Sequence, residues 1–174
     1  MEWFQVIREL IDLRSFSNLW YWIILAVLWS SSSHWVLGVP FDMISRARRD
    51  GGATQDDLEA LVRINTSRML YIARTAGIWL VGLVFFLITV LTVLGFVYNI
   101  EFAQAVLLLL VPVCILAVLS QRTAGLIEAG ENAGAALHRR LVRHRISTQA
   151  LGMVSIFVTS LFGMYQNLNI GAMG

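Results

Sequence analysis

The sequence predicts an all-α fold, a polytopic membrane helical bundle of about four transmembrane helices with helical cytoplasmic extensions. Of its 174 residues, 57% are hydrophobic and only 14% are charged, whereas a soluble domain has about 45–50% and about 25%. Four apolar stretches reach the length that a bilayer requires, roughly 20 residues. This length allows a single membrane domain over residues 1–174.

The four predicted spans are apolar and carry no Asp, Glu, Lys or Arg in their interiors. The first lies between the aromatic residues Trp20–Trp22 and Trp35, as spans do between the aromatic belts at the two membrane surfaces. The third is joined to the second by a short turn, so those two spans form an antiparallel hairpin. The predicted spans are residues 19–37, 76–98, 102–119 and 148–165.

The remaining segments are predicted to be helical as well. Residues 1–17 have apolar residues at helical spacing and are expected to form an interfacial helix. The Arg-rich segment 41–75 continues this pattern, and residues 55–98 are expected to form one unbroken helix. In the second Arg-rich segment, 120–147, the glycines of Gly130–Gly134 are expected to turn the chain back.

The antiparallel hairpin also predicts contacts beyond the spans. Facing residues have numbers that sum to about 200, so Glu128 is expected opposite Tyr71 to Arg74 and Glu131 opposite Arg68. The returning segment is expected to place an apolar side inward, formed by Leu137, Leu141 and Ile146.

The basic residues are all arginine, and they concentrate in the two long linkers. By the positive-inside rule these linkers are cytoplasmic, and both termini face the opposite side. Contact with anionic lipid headgroups or a protein partner is predicted for Arg46, Arg48, Arg49, Arg139, Arg140, Arg143 and Arg145. Self-association is the other expectation, and no nucleic-acid partner is expected.

The stretch "WSSSSHW" (residues 29–35) places polar side chains in the first span. Ser30, Ser33 and His34 form a possible intramembrane polar face, since residues at i and i+4 lie on one side of a helix. Two interpretations remain open, a helix end with a packing seam and a pathway or ligand contact. In the fourth span, Ser155, Thr159 and Gly163 form a small-residue stripe suited to packing, within the chain or between chains.

The chain offers little for catalysis. The sequence brings no nucleophile and base together, and no metal or cofactor site is predicted. His138 and His144 fall in the basic segment outside the spans, where they are expected to face solvent or headgroups. A single Cys, Cys114, excludes a disulfide within the chain.

The phrases "DLRSFSNLWYW", "SHWVLGVPFDM" and "RARR" resemble a family of small alphaproteobacterial integral membrane proteins, sometimes labelled "component of SufBCD complex". The resemblance covers mainly residues 1–75 and implies the bacterial inner membrane and a place beside iron–sulfur assembly machinery. The expected function is that of a non-catalytic accessory or scaffold subunit, or a homo-oligomer. The alternative is a passive channel or small-solute conduit formed by several copies.

Overall fold

The computed structural model describes residue 16 and residues 18–171, with side chains described as far as residue 168. The predicted interfacial helix over residues 1–17 therefore lies outside the described residues, except for Phe16. The elements follow the order α1 (Leu19–His34), β1 (Trp35–Val36), β2 (Val39–Pro40), α2 (Phe41–Asp50), α3 (Gly52–Thr92), α4 (Glu101–Glu128) and α5 (Gly134–Gly171).

The fold is a bundle of helices, as predicted. Three helices of the described chain are long and apolar enough to cross a membrane, namely Gly52–Val97, Glu101–Glu128 and Gly134–Leu168. The first of these is α3 together with a π-helical turn at Val93–Val97. The first predicted span corresponds to α1, which has 16 residues and is therefore about 24 Å long.

The first span was predicted to reach residue 37, but the helix ends at His34. Residues 35–40 form a two-stranded antiparallel hairpin in which Val36 pairs with Val39. Its two-residue turn has positive φ angles, 52° at Leu37 and 76° at Gly38, as in the primed turns that suit twisted strands.

Tertiary contacts hold this turn in place. A left-handed conformation costs a residue with a side chain about 1–2 kcal/mol, and Leu37 offsets that cost by being 96% buried, with 4% of its surface exposed. Asn65 of α3 donates a hydrogen bond from Nδ2 to the carbonyl oxygen of Gly38 at 3.1 Å. The sequence pattern missed the hairpin because the helix is ended by these distant contacts.

The α3–α4 pair has the predicted register at one position and a different pairing at the other. Arg74 and Glu128 form an ion pair with Nη2 and Oε2 2.6 Å apart, as expected. Glu131 does not pair with Arg68. It lies beyond the end of α4 and binds Arg140 of α5, with Nη2 and Oε1 2.6 Å apart, because the chain has already begun to turn.

We call the part of the bundle formed by residues 35–75 and 120–147 the charged end. The larger core cluster lies here, and it draws on the hairpin, α2, α3, α4 and α5. Leu137 and Leu141 are fully buried in it, as predicted, whereas Ile146 is 60% exposed and lies outside it. The helical phase explains this difference, since Ile146 is five residues beyond Leu141 and so points away from that face.

The apolar segments contribute much less burial. In the most apolar stretch of α3, α4 and α5, only 6%, 17% and 28% of the residues are buried, respectively. Ile78 and Trp79 of α3 are 83% and 80% exposed. These helices therefore present apolar surface around most of their circumference, which needs lipid or another chain to cover it.

At the other end, which we call the loop end, polar contacts join the helices. The π-helical turn departs from regular α-helical hydrogen bonding, and the Gly95 carbonyl accepts a hydrogen bond from Gln104 Nε2 at 2.7 Å. Gln166 of α5 donates to Gln104 Oε1. Tyr21 of α1 donates from its hydroxyl to the Ala105 carbonyl at 3.2 Å.

Because the core lies at the charged end, we expect substitutions there to lower the free energy of unfolding more than substitutions in the apolar segments. Leu141→Ala removes a fully buried side chain and should lower the free energy of unfolding by about 2–5 kcal/mol. Leu83→Ala is the matched control, because Leu83 lies in the apolar segment of α3 and is 53% exposed. Denaturant unfolding in detergent micelles measures both, and equal losses would show that the core is not where stability is concentrated.

Candidate functional site

A basic groove lies between α2 and α5 at the charged end. Arg48, Arg139 and Arg143 line it together with Gln55 and His138, and its volume is about 770 Å³. No ion pair found within the described residues involves any of these three arginines. Three guanidinium groups on one concave surface favour binding of phosphate or carboxylate groups, which arginine contacts with a planar fork of donors.

The other four predicted arginines are engaged within the chain. Arg46 pairs with Asp42 at 3.3 Å, and Arg49 with Asp50 at 3.5 Å.

Arg140 and Arg145 have partners from other parts of the fold. Arg140 binds Glu131, and this hydrogen bond is the main cause that lowers the pKa of the Glu131 carboxyl. The guanidinium of Arg145 lies 3.4 Å from the ring centroid of Phe41, a cation–π contact. The structure thus divides the seven predicted residues into four that have a partner within the chain and three that line the groove.

A chain of hydrogen bonds forms one side of the groove. Glu59 of α3 accepts from the backbone N–H of Gly134 at 2.9 Å, which places a carboxylate at the N-terminus of α5, where the helix dipole favours negative charge. Gln55 Nε2 donates to the same Glu59 oxygen at 2.6 Å. Gln55 therefore turns its carbonyl oxygen to His138, and His138 Nε2 donates to it at 2.7 Å.

The environment of His138 favours its neutral form. Burial lowers the pKa of His138, the nearby charge of Arg48 lowers it further, and Glu59 opposes them. The second ring nitrogen, Nδ1, is buried and has no hydrogen-bond partner among the described residues. A proton added there would be a buried donor without an acceptor.

The prediction that His144 faces solvent or headgroups is wrong. Its side chain is 94% buried, with 6% exposed, and its Nδ1 lies 3.1 Å from Thr123 Oγ1 of α4. The helical phase contained the signal. Leu137, Leu141, His144 and Thr148 follow one another at steps of four, three and four residues, the spacing of one packed face, and all four are buried.

The same face continues along α5 through the predicted small-residue stripe. Ser155 and Thr159 are 5% and 1% exposed, and Gly163 is buried. A Cβ added at Gly163 would lie 3.4 Å from Phe16 and 3.5 Å from Trp22. The stripe therefore packs against aromatic side chains of this chain, which answers the question that the sequence left open.

The structure places the "WSSSSHW" face away from the interior. Ser30 and His34 are exposed and Ser33 is half-buried. The buried residue of this stretch is Trp29, 5% exposed, whose indole lies against Gly152 of α5. The predicted polar face therefore does not line a path through this chain.

Two other serines of the stretch contribute to a second cavity, of about 330 Å³. Ser31 and Ser32 line it with Trp35, Ser120 and His144. Pattern reasoning selected the i, i+4 pair and missed Ser31 and Ser32, because α1 turns a different side towards α4 and α5.

Comparison with known proteins gives no further guide to function, since no family model, curated protein or solved structure matches the chain. Within the part of the chain that the structure describes, no group of three or more His, Cys, Asp or Glu side chains is close enough to hold a metal ion.

The environment of His138 predicts a pH dependence of stability. Its folded-state pKa lies below the ordinary value of about 6.5, so the unfolded chain binds the proton more readily. Its contribution is therefore fully present above about pH 6.5 and is lost as the pH falls through the folded-state pKa. Glu59 and Glu131, whose pKa values are also lowered, act at more acidic pH.

Thermal unfolding between pH 7.5 and pH 5.5 measures this effect. The wild-type protein should lose stability over that range, and His138→Gln should lose less. Other titrating groups remain in both proteins, so their difference isolates His138. Parallel curves for the two proteins would show that His138 does not contribute.

Proposed function

We propose that this protein is a non-catalytic accessory or scaffold subunit of a membrane complex, or a homo-oligomer, which presents a basic groove at the cytoplasmic membrane surface. The observation that carries the proposal is the groove itself. Arg48, Arg139 and Arg143 come from two different helices and line one groove, and no ion pair found within the described residues involves them. Anionic headgroups on the cytoplasmic side fit this chemistry, at about 1 kcal/mol for each arginine near the surface.

We place all four helical segments in the bacterial inner membrane, with both termini outside the cytoplasm. Support for α1 as the fourth span comes from its surface, because Leu19, Ile23 and Val27 are 72%, 52% and 57% exposed. Such residues fit a lipid-facing surface, while the opposite face of α1 packs on the bundle. The charged end carries the excess of arginine and is cytoplasmic by the positive-inside rule.

Association with a second chain is supported by the uncovered apolar segment of α3. Only 6% of the residues in its most apolar stretch are buried within this chain. A neighbouring helix from another copy or from a foreign subunit would cover it. The basic groove lies at the opposite end of α3, so lipid contact and subunit contact use separate surfaces.

Native mass spectrometry after gentle purification tests this function. The protein should leave the membrane with anionic lipid, and either as multiples of one chain or with a fixed partner. A variant with Arg48, Arg139 and Arg143 each changed to Gln should bind anionic lipid on the order of 100-fold more weakly, if each arginine contributes about 1 kcal/mol.

The matched control changes the exposed Arg63, Arg68 and Arg122 to Gln, an equal change in charge outside the groove. It should retain most of the lipid affinity. Equal weakening in both triple variants would show that only net charge matters, and a lone chain without lipid or partner would contradict the scaffold function. Solute flux across liposomes carrying only this protein would favour a conduit instead.

Orientation has its own test. A periplasmic phosphatase fused after Gly174 should be active in cells, because four spans with cytoplasmic linkers place the C-terminus outside. The same enzyme inserted after Gly51, between α2 and α3, should be inactive and serves as the control. Activity at Gly51 and none at Gly174 would reverse the orientation, and inactivity at both positions would exclude four spans.

A further inference from the structure

The second cavity, an open depression separate from the basic groove, lies where the charged end meets the apolar segments. Its volume is about 330 Å³, and Leu116, Met69 and Trp35 give it apolar walls. Ser31, Ser32 and Ser120 add hydroxyl groups, and His144 contributes its ring. Pockets for small organic ligands combine such walls with a few polar groups, and about 300 Å³ is the lower end of their range.

Hydrogen bonding fixes which nitrogen of His144 carries the proton. Thr123 Oγ1 donates its hydrogen to the Leu119 carbonyl at 2.9 Å, so it has none left for the histidine. It therefore accepts from His144 Nδ1, 3.1 Å away. Burial disfavours a charged imidazole, and a neutral ring protonated at Nδ1 leaves Nε2 as an acceptor.

That acceptor is poorly satisfied. The nearest polar group to Nε2 is Ser120 Oγ at 3.5 Å, well beyond the usual 2.7–3.2 Å for such a bond. The residue is nonetheless 94% buried, and its ring lines the cavity. A buried polar atom with so weak a partner calls for an explanation, such as a ligand.

We propose that this cavity binds a membrane-soluble molecule with a phenolic hydroxyl, such as a hydroquinone, which donates a hydrogen bond to His144 Nε2. The apolar walls disfavour a charged ligand, which would lose its hydration without a partner. An aromatic ring can stack on Trp35. A phenol is a stronger donor than an aliphatic alcohol because its O–H bond is more polarised, and a hydrocarbon tail would remain in the membrane.

Binding of a decyl-substituted hydroquinone tests the proposal, with its dimethyl ether as the matched ligand that cannot donate. Both are titrated anaerobically into wild-type protein in lipid nanodiscs, and quenching of tryptophan fluorescence is recorded, with empty nanodiscs correcting for partition. The hydroquinone should bind about tenfold more tightly than the ether, as one net hydrogen bond allows. Equal affinities, or no saturable binding of either ligand, would overturn the proposal.

Two variants locate the contact. His144→Leu keeps an apolar side chain of similar size and should bind both ligands with the affinity of the ether. Thr123→Val removes the acceptor that holds the proton on Nδ1, and should reduce the preference for the hydroquinone. An undiminished preference in a folded His144→Leu protein would exclude His144 as the acceptor. If that variant fails to fold, the wild-type and Thr123→Val comparisons decide the matter.

Discussion

Ten buried residues from the hairpin and four helices meet at the charged end of the bundle, and the placement of α2, α3, α4 and α5 depends on this cluster. Burial of apolar surface stabilises a fold in proportion to the area removed from water, at roughly 25 cal/mol per Å². In the proposed membrane setting, that driving force acts fully only where the helices leave the lipid. The cluster therefore sets where α3, α4 and α5 meet, and the Glu59 carboxylate bound to the first N–H of α5 fixes the return of the chain.

The apolar segments need different interactions, because lipid tails are as apolar as leucine and give helices little reason to associate. One such interaction is close packing, in which the indole of Trp29 lies against Gly152 and the rings of Phe16 and Trp22 lie against Gly163. Internal hydrogen bonds supply the other, from Tyr21 to Ala105 and from Gln104 to Gly95. These contacts are concentrated along α1 and at the loop end, which leaves most of the apolar segment of α3 uncovered.

At the charged end, polar side chains that are bound within the chain lie close to polar side chains that line the groove. Arg140 and Arg145 are held by Glu131 and Phe41, and they stabilise the turn and the start of α2. Arg139 and Arg143 belong to the same helix but point into the groove. The two buried or half-buried histidines follow this division as well, since His138 faces the groove and His144 the second cavity.

Composition and periodicity by themselves determined the helical class, the unbroken helix of α3, the break near Gly130 and the Arg74–Glu128 pair, because these follow from local spacing and from the short turn before α4. They also identified the arginines of the groove, but not which three converge. Only the tertiary structure decided the hairpin at residues 35–40, the contact of Arg145 with Phe41 and the burial of His144. Each of these depends on side chains distant in sequence, such as Asn65, Phe41 and Thr123, whose meeting no local pattern encodes.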